Sequence, residues 1–179
     1  MPDIGYLKKL AEEAGFTNAG MLDASTIVLR DEVRDMCAAN SCGVYGKNWS
    51  CPPGCGEIED LRGVIAKYHT GILVQTVGQL EDEFDGEGIM ETEAAHKAHF
   101  DDMHARLLNE WPGLLALGAG TCRRCTTCTY PDAPCRFPDR RVSSMEAYGM
   151  LVLEVCKANG MKYYYGPDTI AYTSCFLLE

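Results

Sequence analysis

The sequence predicts an α+β fold, a sheet of about four strands packed by helices, with a mixed-sheet α/β arrangement as the alternative. Three observations carry this expectation. Helical and strand patterns alternate through the first half of the chain. The chain closes on two runs rich in aromatic and β-branched residues, separated by Gly166-Pro167-Asp168, which reads as a β-hairpin. Two segments crowded with Cys, Gly and Pro interrupt the regular elements as loops. No solenoid-length repeat and no Ser- or Pro-rich linker divides the chain, so a single metal-binding domain, residues 1–179, is expected.

Asp3 through Ala14 places Ile4, Leu7, Leu10 and Ala11 at helical spacing and stops at Gly15. Phe16 to Leu22 reads as a strand. Asp23 or Ser25 offers a cap for a second helix running to about Cys37, with Val28, Leu29, Val33 and Met36 on its apolar side. Glu57 to Tyr68 has the pattern of a third helix, and Gly71 to Val77 is the continuous apolar run of a buried strand. Residues 91–111 carry Ala95, Phe100, Met103, Leu107 and Trp111 at roughly helical spacing, closed by Pro112 and Gly113. Ser143 to Asn159 reads as a helix that Gly160 ends, and Met161 to Tyr165 with Ile170 to Leu178 form the expected hairpin.

Composition bounds the function. A chain of 179 residues, 46% apolar and 23% charged, buries a real core and is not disordered. No apolar run approaches the roughly 18 residues of a membrane span. The first residues lack the basic start and apolar run of a signal peptide, so a cytoplasmic location is expected, with thiols reduced.

The net charge is −10, concentrated in Glu81, Asp82, Glu83, Asp85, Glu87, Glu91 and Glu93, which read as a solvated loop. A nucleic-acid partner is disfavoured, because phosphate binding needs a cationic footprint that only a short stretch near Arg123 and Arg141 offers. The acidic spacing does not follow a calcium loop.

Ten cysteines need an explanation. In a reducing compartment metal is a better one than disulfides. Four cysteines lie at 37, 42, 51 and 55, four at 122, 125, 128 and 135, and only Cys156 and Cys175 stand apart, read as core thiols.

In the second group, Cys122, Cys125 and Cys128 follow at two-residue gaps and Cys135 comes after Pro134. Three thiolates on one tight loop reach three irons of a cubane, and the chain turning through Tyr130 and Pro131 brings Cys135 back as the fourth ligand. Gly118 and Gly120 let backbone approach the inorganic sulfides. Arg123, Arg124, Arg136, Arg140 and Arg141 offset the negative charge of such a cluster and raise its potential. A structural zinc on the same thiolates is the alternative, though zinc sites favour two separated pairs.

The first group, Cys37, Cys42, Cys51 and Cys55, follows no general ligand spacing. Pro52 and Pro53 stiffen it, and Tyr45 and Trp49 are placed to wall a cluster from water. A second [4Fe–4S] cluster with four Cys ligands, a cluster with three ligands and an open iron, and a zinc site all stay open. An open iron would bind substrate as a Lewis acid, which a fully ligated cluster cannot. His96 and His99 share a helix face and His104 follows, but no further convergent ligand is evident, so they read as exposed or half-buried helix residues.

The run from Val33 through Tyr45-Gly-Lys-Asn-Trp-Ser-Cys-Pro-Pro53 to Tyr68 resembles a known family. So does the block from Gly118-Ala-Gly-Thr-Cys122 through Pro134-Cys-Arg-Phe-Pro138 to Ser144-Met-Glu-Ala-Tyr-Gly149. This is the predicted metal-binding, iron–sulfur family called domain of unknown function 2284, common in anaerobic bacteria and archaea. The resemblance covers nearly the whole chain. It implies an iron–sulfur or other metal site built from Cys122, Cys125, Cys128 and Cys135, together with Cys37, Cys42 and Cys51.

The function expected is an iron–sulfur redox protein holding one or two [4Fe–4S] clusters and passing electrons to a redox protein partner. An enzyme with an open-iron site acting on a small substrate is the first alternative, and a zinc-binding structural or regulatory module the second.

Overall fold

A computed structural model describes residues 2–179. Five strands form one mixed sheet in the order β1-β2-β5-β3-β4, flanked by five α-helices, which is an α+β fold. The strands are β1 (Asn18–Asp23), β2 (Thr70–Gln79), β3 (Leu115–Gly118), β4 (Ser143–Ser144) and β5 (Thr169–Leu178). β2 and β5 pair antiparallel along ten residues, from Thr70 opposite Leu178 to Gln79 opposite Thr169. β1 lies antiparallel to β2, β3 antiparallel to β5, and β4 parallel to β3.

The period of two along the central strands divides the core. Ile72, Val74, Phe176 and Leu178 face one side, where α1 (Ile4–Ala14) and α4 (Gly86–Glu110) supply Leu7, Leu10, Phe100, Met103 and Leu107. Leu73, Cys175 and Leu177 face the other, against Leu61 and Ile65 of α3 (Ile58–Ile65) and Val155 and Cys156 of α5 (Val152–Ala158). Burial on both faces explains the unbroken apolar reading of β2. Cys156 and Cys175 are fully buried members of this second core, so they sit where the sequence placed them. No helix among the described residues is long and apolar enough to cross a membrane.

Several elements differ from expectation. The C-terminal hairpin is absent: residues 161–165 form no strand, and β5 pairs with β2 and β3 instead. The segment is held by side chains, Tyr165 donating to Gln75 Oε1 at 2.6 Å and Gln75 donating to the Lys162 carbonyl at 2.9 Å. β3 and β4 were not expected as strands, being too short for periodicity to register. The helix expected over 143–159 divides into β4, a 3-10 turn at Glu146–Tyr148 and α5, because Gly149 turns the chain at φ 91°. Asp23 caps only a 3-10 turn, Ala24–Thr26, and α2 (Asp31–Ala38) begins later. The acidic run is only partly loop. Asp85 caps α4 by accepting from the Gly88 N–H at 2.9 Å, and Glu87, Glu91 and Glu93 are helical, Glu87 lying in the first turn where negative charge suits the helix dipole.

Candidate metal centre

The first cysteine loop joins α2 to α3, with Cys37 in the last turn of α2. Local hydrogen bonds give it a defined shape. Asn48 Oδ1 accepts from both the backbone N–H and the hydroxyl of Ser50, at 3.0 and 2.6 Å, and the Gly46 N–H donates to the Pro52 carbonyl at 2.9 Å. Asn48 and Ser50 are buried although polar, which their mutual bonding permits.

Cys37, Cys42 and Cys51 line a single cavity of about 350 Å³. Its other walls include Tyr45 of the same loop, Gly120 and Thr121 of the second loop, and Glu146 beyond β4. Cys55 is not on this wall. It is 6% exposed, with Sγ 3.6 Å from the Ala147 carbonyl and 3.5 Å from a guanidinium nitrogen of Arg34. Arg34 in turn donates to the Ala147 and Gly56 carbonyls, both at 2.8 Å, so Cys55 is wedged between α2, the loop end and the 3-10 turn. The structure thus gathers three of the four expected first-loop thiols and sets the fourth apart.

The second loop leaves the end of β3 and returns as β4. Cys122, Cys125, Cys128 and Cys135 are all half-buried along it. Thr129 donates to the Pro134 carbonyl at 2.8 Å, and Arg136 to the Thr127 carbonyl at 2.6 Å, folding the Cys128–Cys135 segment on itself. Gly118 serves packing, since a Cβ there would stand 3.1 Å from Val142, whereas Gly120 does line the first-loop cavity.

The two loops share a seam. Thr121 Oγ1 is 3.5 Å from Cys51 Sγ and 3.4 Å from Ser50 Oγ, and Ser50 Oγ accepts the Cys122 N–H at 3.2 Å. Farther along, Trp49 meets Tyr130 edge-on, ring centroids 4.8 Å apart, and donates to the Ala133 carbonyl at 3.0 Å. Trp49 therefore joins the loops, while Tyr45 alone of the two expected aromatics walls the cavity. Ser50 and Thr121 were not singled out from the sequence. The available signal was that each is a hydroxyl residue immediately before a cysteine.

Burial pushes the Cys37 thiol up, and Glu146 and Cys51 add to the shift, while Arg34 opposes it. A metal bound at Cys37 would displace that proton. An all-sulfur donor set with backbone approach at Gly120 fits an iron–sulfur group. In the second loop, Arg124 is engaged in an ion pair with Asp101 at 2.8 Å and donates to the Arg140 carbonyl at 3.0 Å. Among the described residues, no three Cys, His, Asp or Glu side chains stand together as ligands of one ion would.

His96 and His104 are buried rather than exposed, while His99 is half-buried as expected. His96, 1% exposed, bonds Thr76 Oγ1 at 3.0 Å and Ser174 Oγ at 2.7 Å. His99 bonds the same threonine at 3.1 Å, and Arg124 stands 3.2 Å from His104 Nδ1. Their partners are hydroxyls and a guanidinium, so they complete the packing of α4 on the sheet.

A family model described as predicted metal-binding protein, DUF2284, matches residues 20–178. No curated protein and no solved structure matches the chain.

Proposed function

The chain belongs to this predicted metal-binding family, DUF2284, and we propose that it is an iron–sulfur redox protein, one domain over residues 1–179, exchanging electrons with a protein partner in a reducing cytoplasm. One [4Fe–4S] cluster is held by Cys122, Cys125, Cys128 and Cys135, and a second by the first loop. The observation that carries this reading is the convergence of Cys37, Cys42 and Cys51 on one cavity whose far wall is the start of the second cysteine loop. Two cysteine-bearing loops that meet across one seam suit two clusters near enough to exchange electrons. Cys42 is exposed, which brings the first-loop centre to the surface a partner would meet.

When bound, such clusters supply one-electron chemistry at potentials spanning roughly −700 to +450 mV. The chain's own residues fix the thiolates, exclude water with Tyr45 and tune charge with Thr121, Arg34 and Glu146.

The deciding experiment is iron and acid-labile sulfide analysis of anaerobically purified protein, with low-temperature paramagnetic resonance after reduction. About eight irons and eight sulfides per chain, with two reducible signals, are expected. Colourless protein that is iron-free or carries one zinc overturns the reading.

A further inference from the structure

We infer that the first-loop centre is a three-cysteine site, held by Cys37, Cys42 and Cys51, whose fourth coordination position opens into the shared cavity as a binding site for a small uncharged or cationic molecule with a nitrogen or hydroxyl donor. The inference rests on the cluster reading above and gives it a ligand.

Four cysteines on a short loop would ordinarily be counted as four ligands. Cys55 is excluded by its surroundings. Its sulfur lies against the Ala147 carbonyl and the Arg34 guanidinium, and Arg34 is tied to two carbonyls on either side of it. Bringing Cys55 to the cavity would strip Arg34 of a neighbour and pull on Gly56, whose carbonyl Arg34 holds. The three remaining thiols share a wall, and facing them are Tyr45, Thr121, Ser144 and Glu146, all able to bond a polar guest.

Size and charge set the class of guest. Sites for small molecules run from about 300 Å³ upward. A cavity of about 350 Å³ that must also take the iron–sulfide core leaves room for only a few heavy atoms. The Glu146 carboxylate on the wall and the thiolates opposite both repel anions. Ser144 accepts the Ala147 N–H at 3.0 Å and keeps its own O–H to donate, so it joins Thr121, Tyr45 and Glu146 as the groups that would orient the guest.

The test uses anaerobic, cluster-loaded full-length protein. Cys55→Ala and Cys55→Ser are expected to keep the full iron complement, whereas Cys37→Ala loses about half. Loss of half the iron from both Cys55 variants, with the second-loop signal intact, overturns the inference while leaving the redox reading standing. Iron-free wild-type protein would end both.

Because Cys55 is buried and its variants risk misfolding, the wild type supplies an independent measure. One equivalent of a one-electron oxidant such as ferricyanide should take one electron and release one ferrous ion, converting one cluster per chain to a three-iron form with its own resonance signal. Two clusters that resist this equally overturn the inference. Imidazole labelled with ¹⁵N should perturb the reduced first-loop signal and show nitrogen coupling, lost in Cys37→Ala, while formate should not. No coupling at saturating imidazole also overturns it.

Discussion

Cys51 Sγ and Thr121 Oγ1 lie 3.5 Å apart across the seam between two loops separated by 70 positions in sequence. Once Cys51 is a thiolate, the hydroxyl becomes the donor, and a hydrogen bond to a cluster sulfur favours the more negative, reduced state. Thr121→Val should therefore lower the potential of the first-loop cluster by a few tens of millivolts, the equivalent of about 1 kcal/mol for one electron, while Thr121→Ser should leave it near the wild-type value. Potentiometric titration followed by paramagnetic resonance reads both, with iron content as the control.

The seam also depends on close approach. A Cβ on Gly54 would stand 2.5 Å from the Asn48 carbonyl and 2.9 Å from the Tyr130 ring, so Gly54→Ala must push the first loop off the second. A destabilisation of about 1–3 kcal/mol is expected, as for other overpacked sites. Iron should be lost faster from this variant than from wild type under a chelator. Gly63→Ala, with nothing within 4 Å of its added Cβ and a helical setting in α3, is the control expected to be neutral or mildly stabilising.

Arg34 is the second anchor of the first loop. It donates to the Ala147 and Gly56 carbonyls and lies against Cys55, and it lowers that thiol's affinity for its proton against the larger opposing effect of burial. A lysine cannot span both carbonyls as the planar guanidinium does. Arg34→Lys should cost about 1–3 kcal/mol, from one buried carbonyl left unpaired, and Arg34→Met more. Denaturant unfolding of the anaerobic protein measures the difference.

Legibility followed the length of each physical pattern. The helix Ile4–Ala14 and the strand Thr70–Gln79 repeat their periods several times, and both were evident. Ser143–Ser144 is two residues long and shows no period, so a helix was read through it, although Gly149 marked the break. Residues 161–165 had the composition of a strand, but Tyr165 and Lys162 spend their polar groups on Gln75, and the Met161 N–H donates back to the Cys156 carbonyl of α5 at 2.9 Å instead of to a strand. In the site, clustering of cysteines was visible because ligands are encoded by residue type. That Cys55 turns from Cys51 toward Arg34 depends on a contact spanning 21 positions, which no local spacing encodes.

His96 supplies a test of the packing behind the second loop. It is 1% exposed, and burial, with His99 and Lys97 adding, lowers its pKa to about 3 from the ordinary 6.5. The folded chain thus keeps His96 neutral where the unfolded chain would protonate it. Between about 6.5 and 3 the unfolded state binds the extra proton, so stability is fully present above 6.5 and falls as pH falls through this window. The slope from this residue approaches about 1.4 kcal/mol per pH unit. His104, lowered to about 4 by burial first and by Arg124 and Arg140 after it, acts in the same direction over a narrower range. His96→Asn should be less stable at pH 7.5, having lost its bonds to Thr76 and Ser174, yet lose less on acidification than wild type. Denaturant midpoints for both proteins at pH 7.5 and 5.5 decide it, because acid lability of the metal centre is common to the two and cancels in the comparison. Parallel loss in both would mean that the buried imidazole takes up its proton in the fold as readily as in the unfolded chain.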